Sequence, residues 1–313
     1  MLTALLVVVQ TLLLVALAPL WNGIVGALKA RLQMRRGLPV LQRYRDLFKL
    51  AGKETVLSED ASPLARVVPY VVVGAAVAVC TWTPVLTTQP GMGFAGDLVM
   101  TVALLAAIRV LLALLALEAG TTFGGMAASR HLALSALAEP ALMLAVFTLA
   151  IAARSTDLAR ISAAVAATPD AWISPSHLLA LTAMWIVVIS ETGRVPVDNP
   201  VTHLELTMIH EGLVLDVSGH HLALLEWGAA IRQMILLTLV ANLFLPWGIA
   251  VVATPAALAW ALGAWLGKLL AFAVVVAVTE SVTAKMRLFR VPEFLGMAFL
   301  LALLALTSDS LLR

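Results

Sequence analysis

Leu178–Ser190, LLALTAMWIVVIS, runs directly into Glu191–Glu211, ETGRVPVDNPVTHLELTMIHE. The first part is an apolar run with no charge. The second packs Glu191, Arg194, Asp198, His203, Glu205, His210 and Glu211 into a short span, interleaved with Leu204, Leu206, Met208 and Ile209. A solvated loop alone would not need those apolar side chains. The junction reads as the end of a membrane helix followed by a long segment that is both charged and packed, and the rest of the chain is organised around it.

The 313 residues are 62% hydrophobic and 12% charged, with a mean hydropathy of +1.01. A soluble core does not require so much apolar surface, so the composition points to a polytopic membrane protein. A span needs about 20 apolar residues. Eight candidates are present: Leu2–Leu20, Val67–Trp82, Leu98–Leu117, Pro140–Ala153, Leu178–Ser190, Ile231–Val251, Leu258–Thr279 and Leu295–Thr307. None alternates as a barrel strand would, and helices satisfy their own backbone in lipid. The predicted fold is all-α, one integral membrane domain over residues 1–313, with an amphipathic helix and long loops on the cytoplasmic side (about 26–66, 118–139, 191–230 and 280–294). The first run has no basic leader and exceeds the ~7–15 apolar residues of a signal peptide, so it reads as a span.

Lysine and arginine set the orientation. The first connection carries Lys29, Arg31, Arg35, Arg36, Arg43, Arg45, Lys49, Lys53 and Arg66, and the seventh carries Lys285, Arg287 and Arg290. The second and sixth carry none. Odd-numbered connections are therefore expected in the cytoplasm and both termini on the outer, periplasmic face of the inner membrane. Arg154 and Arg160 in the fourth connection run against this pattern. Within Lys29–Leu50, Leu38, Val40, Leu41, Tyr44, Leu47 and Phe48 recur at helical spacing beside polar residues. That predicts an amphipathic helix at the interface. Arg35, Arg36, Arg43, Arg45 and Asp46 would offer a docking surface for a soluble partner, or face lipid phosphate.

No glycine-rich phosphate loop or hydrolase motif is present, and Gly120, Gly124 and Gly125 read as a flexible connection. Internal repeats of the transporter kind are not evident. The single Cys80 lies in an apolar run and excludes a cysteine-only metal or iron–sulfur site in this chain. His203 and His210 suit a relay better than a metal site, and His220 and His221 read as loop residues.

Ionisable groups at membrane depth cost several kcal/mol unless paired or hydrated, so each is a functional candidate. Arg109 and Lys268 lie inside spans. Glu118 closes the third, Glu139 opens the fourth before Pro140, Glu191 closes the fifth and Glu280 ends the seventh. All four glutamates fall at expected cytoplasmic ends, with Glu205, Glu211, Asp216 and Glu226 in the fifth connection. Carboxylates gathered on one side should repel and hold protons near neutral pH, as a proton relay requires. A helix after Pro200 would put Glu205 and Asp216 on one face.

Four motifs resemble a known family: RRGLPVLQRYRDLFKLAGKE (Arg35–Glu54), EAGTTFGGMAASRHLALSALAEPALM (Glu118–Met143), ETGRVPVDNPVTHLELTMIHEG (Glu191–Gly212) and ESVTAKMRLFRVPEFLG (Glu280–Gly296). The chain resembles NADH dehydrogenase subunit 1 of respiratory complex I. It is more similar to the membrane anchor subunit of group 4 membrane-bound NiFe hydrogenases, of the formate hydrogenlyase subunit 4 and hydrogenase-4 component type. The resemblance implies eight transmembrane helices and a cavity at the cytoplasmic junction beside the subunit holding the last iron–sulfur cluster. Glu191, Arg194, Pro196, Asp198 and Glu205 match the family's loop, and Glu118, Glu139 and Glu280 match its acidic residues. Complex I has a Phe-Asp pair where Val197-Asp198 stands, further carboxylates at Val201 and His203, and Asn at Gly193. These departures lean toward the hydrogenase branch, whose members usually work without quinone.

The resemblance implies a non-catalytic anchor and ion-coupling subunit of a membrane-bound hydrogenase complex. Glu118, Glu139, Glu191, Glu205, Glu211 and Glu280 would form the proton relay, with Arg194 and Asp198 pairing within the loop. Partners would be hydrogenase large and small subunits, an iron–sulfur protein and antiporter-like membrane subunits. They would carry the NiFe centre and the iron–sulfur clusters, and none would sit in this chain. Nucleic acid is not an expected partner. The alternatives are a quinone-binding subunit of a complex I-like NADH:quinone oxidoreductase and, from another class, a stand-alone secondary transporter.

Overall fold

A computed structural model describes residues 2–58, 61–88, 96–198 and 209–312. The described residues form ten α-helices: α1 (Leu2–Leu32), α2 (Gln42–Ala51), α3 (Pro63–Trp82), α4 (Leu98–Glu118), α5 (Thr122–Ala153), α6 (Leu158–Ala167), α7 (Pro175–Glu191), α8 (Gly219–Leu239), α9 (Pro255–Val282) and α10 (Val291–Leu312). Their starts follow local chemistry. Ser62, Ser174 and Thr254 cap α3, α7 and α9, each with proline in the first turn, where its missing N–H costs nothing. Asp97, Thr121 and Asp157 cap α4, α5 and α6.

Among the described residues, seven helices are long and apolar enough to cross a membrane: α1, α3, α4, α5, α8 with its continuation, α9 and α10. The protein is therefore a multi-pass membrane protein. The remaining predicted span, the fifth, is α7, whose 17 residues make a rod of about 26 Å, just short of the hydrocarbon thickness. Helix α7 packs with α5 against α10, α4 joins α5 to α3, and α1 links α8 to α9. Of these seven, α8 is the most enclosed, with 78% of its apolar window buried against 44% at most in the other six. Tryptophan indoles tie neighbours by donating to backbone or hydroxyl oxygens: Trp21 to Leu269, Trp227 to Val15 and Trp265 to Thr238.

Several expected boundaries move. Helix α1 continues through Pro19 to Leu32, and α5 runs unbroken through Pro140. Glu139 is therefore inside a helix, not at its start. Proline removes one backbone bond, which neighbouring helices compensate in membrane proteins. The interfacial helix occupies only Gln42–Ala51, because Lys29–Leu32 belong to α1 and residues 33–41 are turns. Gly124 and Gly125 are helical. A Cβ on Gly124 would meet the Ala116 carbonyl oxygen at 2.5 Å, so this glycine allows the close α4–α5 hairpin. His220 and His221 lie in the first turn of α8, His221 buried. Short α6 went unforeseen. It buries Leu158, Ile161 and Val165 on one face in the fourth connection.

The loops divide the bundle into two ends. One end holds residues 33–58, 61–62, 119–121, 192–198, 209–218 and 283–290 and most of the described basic residues. At the other, Ala250 pairs with the 86–88 backbone, and α8 ends in a π turn, Val240–Phe244.

Candidate functional site

Three groups of buried ions gather toward the charged end. In the first, Arg109 on α4 is 1% exposed. Its Nη1 lies 3.1 Å from Oε1 of Glu139 on α5 and 3.1 Å from Oε1 of Glu191 at the end of α7. Its Nε donates to the Leu105 carbonyl one turn back. Arg232 on α8, also buried, donates to the Glu191 backbone carbonyl at 3.2 Å. One guanidinium thus bridges two carboxylates from two other helices, and a second one borders them.

In the second group, Glu280 at the end of α9 accepts from Lys29 on α1 at 3.0 Å and from Arg194 at 3.2 Å. Arg194 also donates to Asn22 and lies over the Trp21 ring at 5.5 Å. With its amide oriented to satisfy both neighbours, Gln233 accepts from Arg194 at 3.1 Å and donates to Asn22 at 2.7 Å. Arg194 therefore ties α1, α8 and α9 to the loop.

In the third, Asp198 receives Lys285 at 2.9 Å and the Ile209 and His210 amides at 3.2 and 3.3 Å. The His210 Nδ1 stands at 3.6 Å, too far for a hydrogen bond. Burial alone would raise the Asp198 carboxyl. The adjacent His210 and Lys285 outweigh it and hold the group well below the usual carboxylate range. Because the folded pKa is depressed, this contribution is complete above the unfolded pKa, about 3.9, and fades as pH falls below it. Exchange of the Ile209 and His210 amides, corrected for intrinsic rate, is expected to stay slow from pH 8 to 5 and accelerate below about pH 4. Asp198→Asn should show the acid behaviour at pH 7.

A cleft of about 340 Å³ lies between α2, α8 and residues 192–198 and 210–214. Arg43, Asp46, Arg194, Asp198, Glu226 and Arg232 give it polar lining, and Leu47, Leu50, Leu222 and Leu225 supply an apolar wall. His210 and Glu211 line it too. The His131 ring stacks edge-on against His210 with centroids 5.4 Å apart. His131 Nε2 and Arg232 Nη1 are buried and bond to no described residue.

The expected repulsion among carboxylates is not what holds this end. Glu139, Glu191, Glu280 and Asp198 each meet a cation instead. Glu118 is used elsewhere, accepting from the Ser62 amide at 2.5 Å and fixing the loop before α3. Glu205 and His203 fall outside the described residues. The segment after them holds only a short 3₁₀ turn, Glu211–Val214, and Asp216 accepts from Thr121 at 2.7 Å. Of the expected docking residues, Arg43 and Asp46 line the cleft, and Arg35, Arg36 and Arg45 are exposed. Sequence reading missed Arg232 and His131. An arginine inside the apolar run of α8 was the available signal for the first, by the same reasoning as for Arg109.

A family model described as NADH dehydrogenase matches residues 3–308. The chain belongs to the NADH dehydrogenase family. Within it, the chain is 34% identical over 300 residues to formate hydrogenlyase subunit 4 of Escherichia coli (strain K12), covering 96% of both chains. It is also 34% identical over 297 residues to hydrogenase-4 component C of the same organism, covering 95% of this chain and 92% of that one. A solved chain from the membrane-bound sulfane sulfur reductase, an archaeal respiratory membrane complex, superposes with a TM-score of 0.80. That match covers 97% of this chain and 99% of the other at 20% identity, so it speaks to the fold.

Proposed function

We propose that this family member is the membrane anchor and ion-coupling subunit of a hydrogenase complex of the formate hydrogenlyase kind. The observation that carries the reading is the set of paired ions leading from the cleft to mid-membrane Arg109. The near full-length identity to two hydrogenase-complex subunits supports it. The charged end would face the cytoplasm and both termini the periplasm, as the lysine and arginine distribution favours. The large and small hydrogenase subunits and an iron–sulfur protein would dock over the cleft, and antiporter-like subunits would flank the bundle. Their NiFe centre and clusters would supply the redox chemistry.

This chain's residues would convert a charge change at the cleft into proton movement. Lys285 holds Asp198 ionised against burial, and Arg194 pairs with Glu280. A charge arriving over the cleft competes for those cations and shifts their pairing. Arg232, which lines the cleft and touches Glu191, passes the change to the Arg109 triad. There Glu139 and Glu191 share one guanidinium, so a change at either carboxylate alters the pairing of the other. Glu211 and Glu205 extend the relay on the loop.

Glu191→Gln and Glu139→Gln are expected to lower ion translocation in vesicles at least tenfold while viologen-linked hydrogen evolution falls less than twofold. Equal loss of both activities would refute the coupling role. The cleft itself favours a second reading. Its volume and apolar wall suit a quinone head group, which Arg43, Arg194 and Asp198 would hold. Sensitivity of the parent complex to quinone-site inhibitors, lost on Arg194→Met, would favour that reading.

A further inference from the structure

A second cleft, away from the ion groups, is formed where α2 ends, α3 begins and α8 begins. Lys53, Glu54, Thr55, Arg66, Tyr70, His220 and His221 are among the residues that line it. Lys53 and Arg66 are exposed and form no ion pair with any described residue. The histidines are held in place. Thr55 Oγ1 and His220 Nδ1 are 2.7 Å apart, and His221 stands edge-on between the His220 and Tyr70 rings. The extended 54–56 segment is docked against α8, with Ser218 Oγ bonding both the amide and the carbonyl of Val56.

The face of α3 below this cleft is the second observation. Arg66, Val67, Tyr70, Val71 and Gly74 are all exposed, at the i, i+3, i+4 spacing of one helix face. Nothing lies within 4 Å of a Cβ built on Gly74, so the stripe is shallow there. A cationic pocket therefore opens directly above an apolar strip that descends along a membrane-crossing helix. A soluble anion has no use for the strip. A soluble protein would reach the pocket but not the strip.

We infer that this cleft binds the phosphate head group of an anionic diacyl phospholipid, with its acyl chains along Val67, Tyr70, Val71 and Gly74. Lys53 and Arg66 provide the charge, His220 adds a hydrogen bond, and the Tyr70 ring spans the boundary between head group and chain. Glu54 opposes the phosphate and limits its affinity. The site is independent of the hydrogenase reading, because it uses none of the relay residues.

The test is lipid retention on the full chain in its native assembly. The assembly is purified in mild detergent, stripped, and titrated with phosphatidylglycerol or phosphatidylcholine, and bound lipid is read by native mass spectrometry. Phosphatidylglycerol should bind the wild type preferentially. Lys53→Gln with Arg66→Gln should weaken it about 30-fold, from roughly fivefold per lost cation. Lys53→Arg with Arg66→Lys should retain binding, which separates lost charge from misfolding, and Glu54→Gln should tighten it. Equal binding of the two lipids, unchanged retention in the double glutamine variant, or full displacement by inorganic phosphate at millimolar concentration would each overturn the proposal. So would a photo-cross-linker at position 70 that captures a protein subunit and no lipid.

Discussion

Arg109→Met is expected to remove most of the folded protein from the membrane. Arg109 is the shared cation of Glu139 and Glu191, 3.1 Å from each. Methionine fits the volume but leaves the buried Glu191 and the partly exposed Glu139 facing each other without a cation. Breaking a buried pair by deleting one partner costs about 3–5 kcal/mol, more than forming the pair contributes, because the remaining charge is uncompensated. The measurable result is a fall of the monodisperse fraction after mild detergent extraction, with partial recovery in Arg109→Met combined with Glu191→Gln. Full monodispersity of the single variant would show that the triad contributes nothing to the fold.

Lys268→Met is expected to destabilise the opposite half of the bundle by a comparable amount. The Lys268 ammonium is buried in α9 and uses all three donors: to the Ala241 carbonyl at 2.9 Å, Asn242 Oδ1 at 2.9 Å and the Leu245 carbonyl at 2.7 Å. These acceptors belong to the π turn ending α8 and the residue after it, where the regular ladder gives out. Asn242 in turn donates to the Pro84 and Val85 carbonyls at 2.9 and 2.8 Å, and Ser162 donates to the Asn242 carbonyl at 2.6 Å. One lysine therefore closes a network reaching the loop after α3 and helix α6. Removing it orphans buried acceptors at about 1–3 kcal/mol each, and the melting temperature in detergent should fall on the order of 10 °C. A fall of less than about 2 °C would mean that the π turn is held by other contacts.

These two residues show what the sequence made legible. Arg109 and Lys268 stood out because charge inside a long apolar run needs a reason. What each one pairs with was not visible, since Glu139, Glu191 and Asn242 lie 30, 82 and 26 residues away and nothing local joins them. The spans were legible from length and hydropathy alone. Their ends were not, because proline usually stops a helix in water, whereas Pro19 and Pro140 sit inside α1 and α5. The Glu191 loop announced itself by composition. That its Glu191 and Asp198 would each meet a cation, rather than be left to repel, depended on Arg109 and Lys285 arriving from distant segments. Glu118 matched the family by position, yet it fixes Ser62. A motif match gives the residue and not its partner.

As the proposed anchor of a hydrogenase, this chain should carry its redox partners with it. Mass spectrometry of the proteins that co-purify with the tagged chain in mild detergent should find a large subunit with the paired CxxC motifs suited to nickel–iron ligation, an iron–sulfur protein and antiporter-like membrane subunits. Recovery of flavin- and NADH-binding subunits with a homologous large subunit lacking those cysteines, or of the chain alone, would contradict the anchor role.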